Sequence, residues 1–210
     1  VARGRDIGFG ESYVDGDFDT PDLTALLSLF VPNQQTQELP SRMTNWVQSL
    51  TNRLHHRSRK NTLSGSRKNI QAHYDLSNPF YALFLDPSMT YSCGCFTDED
   101  ESLEEAQVNK LNRMLNRIQP QTNDHVLEIG CGWGSFAIHA VQQTGCKVTG
   151  LTLSKRQKVI ADQRIHEAGL AHRIDIQLRD YRKVDTRFDQ IASIEMLEAV
   201  GHEFLPDYFR

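Results

Sequence analysis

The stretch Val126-Leu127-Glu128-Ile129-Gly130-Cys131-Gly132-Trp133-Gly134 decides the fold. Its apolar start reads as a buried strand. The alternate glycines that follow permit positive φ and let a ligand approach the backbone closely. A helix-like segment near Ser135–Gln143 comes next, so the turn sits at the carboxyl end of the strand, where open α/β sheets bind ligands. A dinucleotide-binding fingerprint would run G-x-G-x-x-G/A, and its third position would fall here on Ser135. The spacing is instead G-x-G-x-G, with Glu128 two positions before the first glycine. A tight strand-to-helix turn holding no ligand is the competing explanation.

Around this stretch, strand-like and helix-like segments alternate. The strands are expected at His125–Ile129, Lys147–Leu153, Ile174–Leu178 and Phe188–Ile194, with helices near Ser135–Gln143 and Lys155–Ala168. Such alternation implies a parallel sheet covered on both faces. Upstream, Ser102-Leu103-Glu104-Glu105 is a capping-box pattern. Behind it Leu103, Ala106, Leu111, Met114, Leu115 and Ile118 share a helical face until Pro120 stops the run. Phe80, Leu83 and Phe84 have helical spacing that Asp86-Pro87 ends. Near the start, Asp22 or Thr20 is placed to cap a short helix over the apolar run Leu23–Phe30. No internal repeat stands out. The expected division is a small N-terminal part over 1–40, a basic linker over 41–69, and a larger α/β part over 70–210.

Bulk properties narrow the class. Of 210 residues, 39% are hydrophobic, enough for a packed core, and no apolar run approaches the roughly 18–20 residues of a membrane span. No signal-peptide pattern opens the chain; position 1 is Val, and Arg210 closely follows an apolar helix-like segment with no terminating signal, so the sequence reads as a piece of a longer protein at both ends. Cys93 and Cys95 form a C-x-C pair rather than the C-x2-C of zinc sites; with Cys131 and Cys146 they fit a reduced, cytoplasmic setting, and no metal site is expected. Net charge is −4, yet no Asp or Glu occurs from Leu39 to Tyr74, where Arg42, Arg53, Arg57, Arg59, Lys60, Arg67 and Lys68 lie. That basic block reads either as a surface for an anionic partner, with a membrane foremost, or as a solvated linker. Nucleic acid is not expected, because Trp46 and Tyr74 alone make a poor stacking platform.

The E-x-G-x-G-x-G arrangement resembles the first motif of Rossmann-like methyltransferases. That resemblance implies that Gly130, Gly132 and Gly134 line a pocket for S-adenosylmethionine and that Glu128 organises the turn. Further segments sharpen it: His73-Tyr74-Asp75-Leu76-Ser77-Asn78; Leu85-Asp86-Pro87-Ser88-Met89-Thr90-Tyr91-Ser92-Cys93; Gly150-Leu151-Thr152-Leu153-Ser154 with Gln157; Arg179-Asp180-Tyr181-Arg182; and Glu195-Met196-Leu197-Glu198-Ala199-Val200-Gly201-His202-Glu203. In this order and spacing they resemble the cyclopropane-fatty-acid synthase family, which includes the mycolic acid cyclopropane synthases, throughout residues 70–210. Gly8–Gly16 also resembles the smaller N-terminal domain of longer members. The fold this implies is α/β, a Rossmann-like methyltransferase sheet cut after about its fourth strand, with a small N-terminal helical segment.

By that resemblance Tyr91 and Ser92 contact the cofactor, Thr152 and Gln157 lie near its ribose, and Asp180 and Tyr181 lie by its adenine. The implied reaction joins the cofactor's methyl carbon to a cis double bond of an unsaturated phospholipid acyl chain. A proton then leaves to bicarbonate and a cyclopropane ring closes. Cys93 and Glu198 match family positions around that ion. Glu198 would act as acceptor for the hydroxyl of bicarbonate, and its alternative role is a carboxylate at a helix start. Cys93 could equally be a small buried apolar residue. Two departures from the family bear on the acyl pocket: Cys95 stands where many relatives carry an aromatic residue, and Ala199 where some carry His. The His and Tyr that complete the ion site would lie beyond Arg210, so the chain alone is expected to be inactive. Peripheral membrane association through the 42–68 stretch, with a homodimer allowed, completes the expectation. The rivals are a small-amine N-methyltransferase and a non-catalytic lipid-binding module.

Overall fold

The computed structural model describes residues 5–29 and 78–209. The chain divides into two compact units, Val1–His55 and His56–Arg210. In the first, α1 (Arg5–Val14) and α2 (Leu23–Ser28) are the described helices. Asp22 caps α2 by accepting from the Ala25 amide at 2.8 Å, while the Thr20 hydroxyl bonds the Asp22 carbonyl. Phe18 packs on Phe9 and Tyr13, with ring centroids 4.8 and 5.6 Å apart. The basic block, Trp46 and the His73–Ser77 part of the first family segment lie outside the described residues.

The second unit carries α3 (Asn78–Tyr81), α4 (Leu103–Ile118), β1 (His125–Ile129), α5 (Ser135–Thr144), β2 (Lys147–Thr152), α6 (Lys155–Glu167), β3 (Ile174–Leu178), β4 (Gln190–Ser193), α7 (Leu197–Val200) and α8 (Leu205–Tyr208). The capping box at Ser102 and Glu105 forms as its sequence predicts. Gln119 ends α4 in the left-handed region, one residue before Pro120. The strands are parallel in the order β3-β2-β1-β4, with Ile129 opposite Leu151 on one side and Ser193 on the other. The order therefore reverses between β1 and β4, and the carboxyl ends on either side of that switch point open a crevice. This is a Rossmann-like α/β sheet.

One face of the sheet is thickly covered. Leu111 and Leu115 from α4, Phe136, Ala140 and Val141 from α5, and Ala161 and Ile165 from α6 pack against Val126, Val148, Ile174, Ile176 and Ala192. On the other face Leu127, Ile129 and Leu151 are covered by Tyr181, Val184, Phe188, Met196 and Tyr208. β4 is shorter than the sequence pattern implies. Phe188 packs on the His125 ring at 4.7 Å instead of extending the strand, and Asp189 holds the His125 amide at 2.8 Å. No helix among the described residues is long and apolar enough to cross a membrane.

Candidate functional site

At the end of β1 the amides of Gly130 and Cys131 both donate to the Leu151 carbonyl, at 3.0 and 2.9 Å, and fold the turn over β2. Gly130, Gly132 and Gly134 have φ of 80°, 54° and 84°, which L side chains adopt at a cost. Their surroundings separate their roles. A Cβ at Gly130 would meet Met196 Cγ at 2.6 Å; one at Gly132 would meet nothing within 4 Å, because Gly132 faces an open cleft. Gly134 does not line the cleft, contrary to its assignment with the other two. It is the N-cap of α5, where a Cβ would meet Ala161 of α6 at an ordinary 3.4 Å, so its φ of 84° is what favours glycine there.

Glu128 lines the cleft yet is fully buried, and its Oε2 has no hydrogen-bond partner. Burial pushes its carboxyl up to about 8, with only the Ala137 amide pulling the other way. Across the turn, Thr152 at the end of β2 donates to Gln157 Oε1 at 2.8 Å, and both line the cleft. Ser154 caps α6 between them by accepting from the Gln157 amide, which fixes Gln157 in place. Asp180, after β3, lines the cleft but is held by Arg182, whose Nη2 lies 2.6 Å from Oδ2 and whose Nε lies 2.9 Å from Oδ1. Burial pushes the Asp180 carboxyl up, but its hydrogen bonds from Arg182 outweigh that and leave it below its usual range. Tyr181 also lines the cleft, its ring edge-on to Tyr208 at 5.4 Å.

The opposite wall comes from the Asp86–Cys93 segment. Asp86 turns it by accepting from the Ser88 and Thr90 amides at 2.9 and 3.2 Å. The Ser88 carbonyl is then gripped by Ser135 Oγ and by Arg164 Nη1, and the same Arg164 nitrogen bonds the Trp133 carbonyl at 2.9 Å. From α4, Gln107 Nε2 donates to the Thr90 and Ser92 carbonyls at 3.3 and 2.7 Å, and Lys110 contacts Ser92 Oγ. Tyr91 and Ser92 thereby line the cleft facing the glycine turn. None of Gln107, Lys110 and Arg164 was singled out by the sequence pattern.

Cys93 and Glu198 do not line the cleft. Cys93 is exposed, and its amide donates to Glu195 Oε1 at 2.8 Å. The hydrogen bond and charge of Glu195 push the Cys93 thiol up. Glu198 is exposed in the first turn of α7. Glu195, which the sequence reading left without a role, lines the cleft. Among the described residues no group of three or more metal-ligating side chains converges.

A family model described as mycolic acid cyclopropane synthetase matches residues 61–210. The chain belongs to that family of S-adenosylmethionine-dependent methyltransferases. It is similar, at 40% identity over its whole length, to the tuberculostearic acid methyltransferase UfaA1 of Mycobacterium tuberculosis, and covers 50% of that protein. Among solved structures, the mycolic acid cyclopropane synthase CmaA1 complexed with SAH and CTAB matches with a TM-score of 0.65 and 38% identity, over 68% of this chain and 50% of that one. The cyclopropane synthase MmaA2 of Mycobacterium tuberculosis matches with a TM-score of 0.66 and 39% identity over the same shares. The chain thus spans about half the length of these relatives.

The cleft fits the cofactor of this family. Gly132 leaves a cradle that any side chain would fill, and the unpartnered Oε2 of Glu128 offers a buried polar atom to a ligand that carries hydrogen-bonding groups.

Proposed function

We propose that this chain forms the cofactor half of an enzyme that transfers a one-carbon unit from S-adenosylmethionine to the cis double bond of an unsaturated phospholipid acyl chain. A cyclopropane fatty acid forms and bicarbonate takes the proton. The observation that carries the reading is the cleft at the β1–β4 switch point, which Gly132 and the buried Glu128 carboxyl, with its unpartnered Oε2, line together with residues 89–92. The cofactor, when bound, supplies an electrophilic methyl group. The chain supplies position: Gly132 admits the ligand to the backbone, Gly130 makes room for Met196 beside it, the Thr152–Gln157 pair presents polar atoms at the end of β2, and Tyr91 and Ser92 close the far side. Cys93, held as a neutral thiol, is a hydrogen-bond donor that does not repel an anion, which suits a place beside bicarbonate. Glu198 is proposed as the acceptor for that ion's hydroxyl.

The test is an assay of the full-length protein with methyl-labelled cofactor and vesicles of unsaturated phospholipid. Label is expected in cyclopropane acyl chains, in a bicarbonate-dependent manner, and the 210-residue chain alone is expected to give none. Label in a small amine and none in lipid would overturn the reading in favour of an N-methyltransferase. A second product is favoured by one observation. The match to the tuberculostearic acid methyltransferase spans the whole chain, whereas family members such as MmaA2 match 71% of it. A methyl-branched acyl chain is therefore the other outcome to look for. The basic block is proposed to dock the enzyme on an anionic leaflet, at about 1 kcal/mol per charge. Vesicle co-sedimentation indifferent to salt would count against that docking.

A further inference from the structure

Glu195 sits in a conformation that its side chain disfavours. Its φ is 49°, in the left-handed region, at the carboxyl end of β4 where Gly or Asn is the usual occupant. A strained non-glycine residue beside a ligand cleft persists when its surroundings fix it there. The surrounding contact is specific: Glu195 Oε1 accepts the Cys93 amide at 2.8 Å, joining residues 102 positions apart. Cys93 ends the segment whose Tyr91 and Ser92 line one wall of the cleft, and Glu195 belongs to the other. On its α4 side this segment is already tied by Gln107 to the Thr90 and Ser92 carbonyls. Across the cleft mouth, Glu195 contributes the tie to β4.

We propose that Glu195 is a positioning residue, a latch that holds the Tyr91–Cys93 segment against the end of β4 and so keeps the cleft closed around its cofactor. The proposal rests on the methyltransferase reading of the cleft but assigns a residue that the reading does not use. Latch and strain make opposite demands on this position, and the test exploits that. In the full-length protein, Glu195→Gly relieves the backbone and removes the acceptor, whereas Glu195→Gln keeps an acceptor of the same length. Titration with S-adenosylhomocysteine is expected to show about tenfold weaker binding for Glu195→Gly, with an unchanged or higher thermal midpoint. Binding by Glu195→Gln should stay within about threefold of wild type. A purely structural role would move midpoint and affinity together.

A second readout needs no cofactor. Because Glu195 suppresses the Cys93 thiolate, alkylation of Cys93, mapped by peptide mass spectrometry near pH 8, is expected to run roughly twofold or more faster in Glu195→Gly. Glu195→Gly that binds as tightly as wild type, with unchanged Cys93 alkylation, would overturn the latch. So would Glu195→Gln and Glu195→Gly weakened alike. A wild-type protein that takes no S-adenosylhomocysteine while Glu195→Gly still alkylates faster would instead sink the methyltransferase reading and leave the contact itself established.

Discussion

The two walls of the cleft are built differently. The wall from β1, β2 and the glycine turn is made of two paired strands and the turns that follow them, and Glu128, Thr152 and Gln157 are buried in it. The wall from Asp86–Cys93 is held by side chains from α4, α5 and α6 and, across the cleft, by Glu195; Tyr91 remains exposed on it, as do Glu195 opposite and Cys93 and Glu198 just outside the cleft. The first wall has the features of a preformed cofactor site, fixed by backbone geometry and burial. The second has those of an adjustable rim, where the acceptor lipid and the proton acceptor are proposed to meet the cofactor's methyl group.

The largest expected effect falls on the first wall. Gly132→Val puts a branched side chain into the open cleft at φ 54°, and should weaken S-adenosylhomocysteine binding about 100-fold, close to 3 kcal/mol, as read by calorimetry. Retained affinity would mean that the ligand does not lie against this turn. Next comes Glu128. Its folded carboxyl is raised to about 8, so the folded state holds a proton that the unfolded chain has released above its ordinary value near 4.5. Stability is therefore full below that lower value and is lost as pH rises toward 8. Urea unfolding of the cofactor-free protein should show a loss of about 2 kcal/mol from pH 5.5 to 7.5, and Glu128→Gln should flatten that dependence.

The second wall should respond in turnover more than in binding. Glu198→Gln is expected to lower transfer to phospholipid about tenfold in the full-length enzyme, with S-adenosylhomocysteine affinity within about twofold of wild type. Equal loss of both would erase the distinction between the walls. The smallest effect is expected for Gln107→Leu, which frees the Thr90 and Ser92 carbonyls at a cost of about 1 kcal/mol. Faster amide exchange confined to residues near 90–93 would show it.

How much of this the sequence disclosed follows from where each signal is stored. The bounds of β1 and β3, the capping box at Ser102 and the Asp22 cap were legible, because each depends on neighbours within a few positions. Thr152 and Gln157 were placed together by resemblance, and their 2.8 Å hydrogen bond spans only five positions. Gly134 was grouped with Gly130 and Gly132 because a helix N-cap at φ 84° and a ligand-facing glycine demand the same residue. Their difference lies in which of them face the cleft, and the turn sequence does not carry that. Gln107 and Lys110 looked like the polar side of an amphipathic helix, and are buried because the Thr90–Cys93 segment crosses over them. Glu195 was invisible for a related reason, since its partner is 102 residues away. Local rules reach the first wall and stop short of the second.

Competitive titration of the full-length protein bears most directly on the central claim. S-adenosylhomocysteine should saturate one site per chain, and excess nicotinamide dinucleotide should leave it in place. A chain that ignored S-adenosylhomocysteine and took up the dinucleotide would contradict the account.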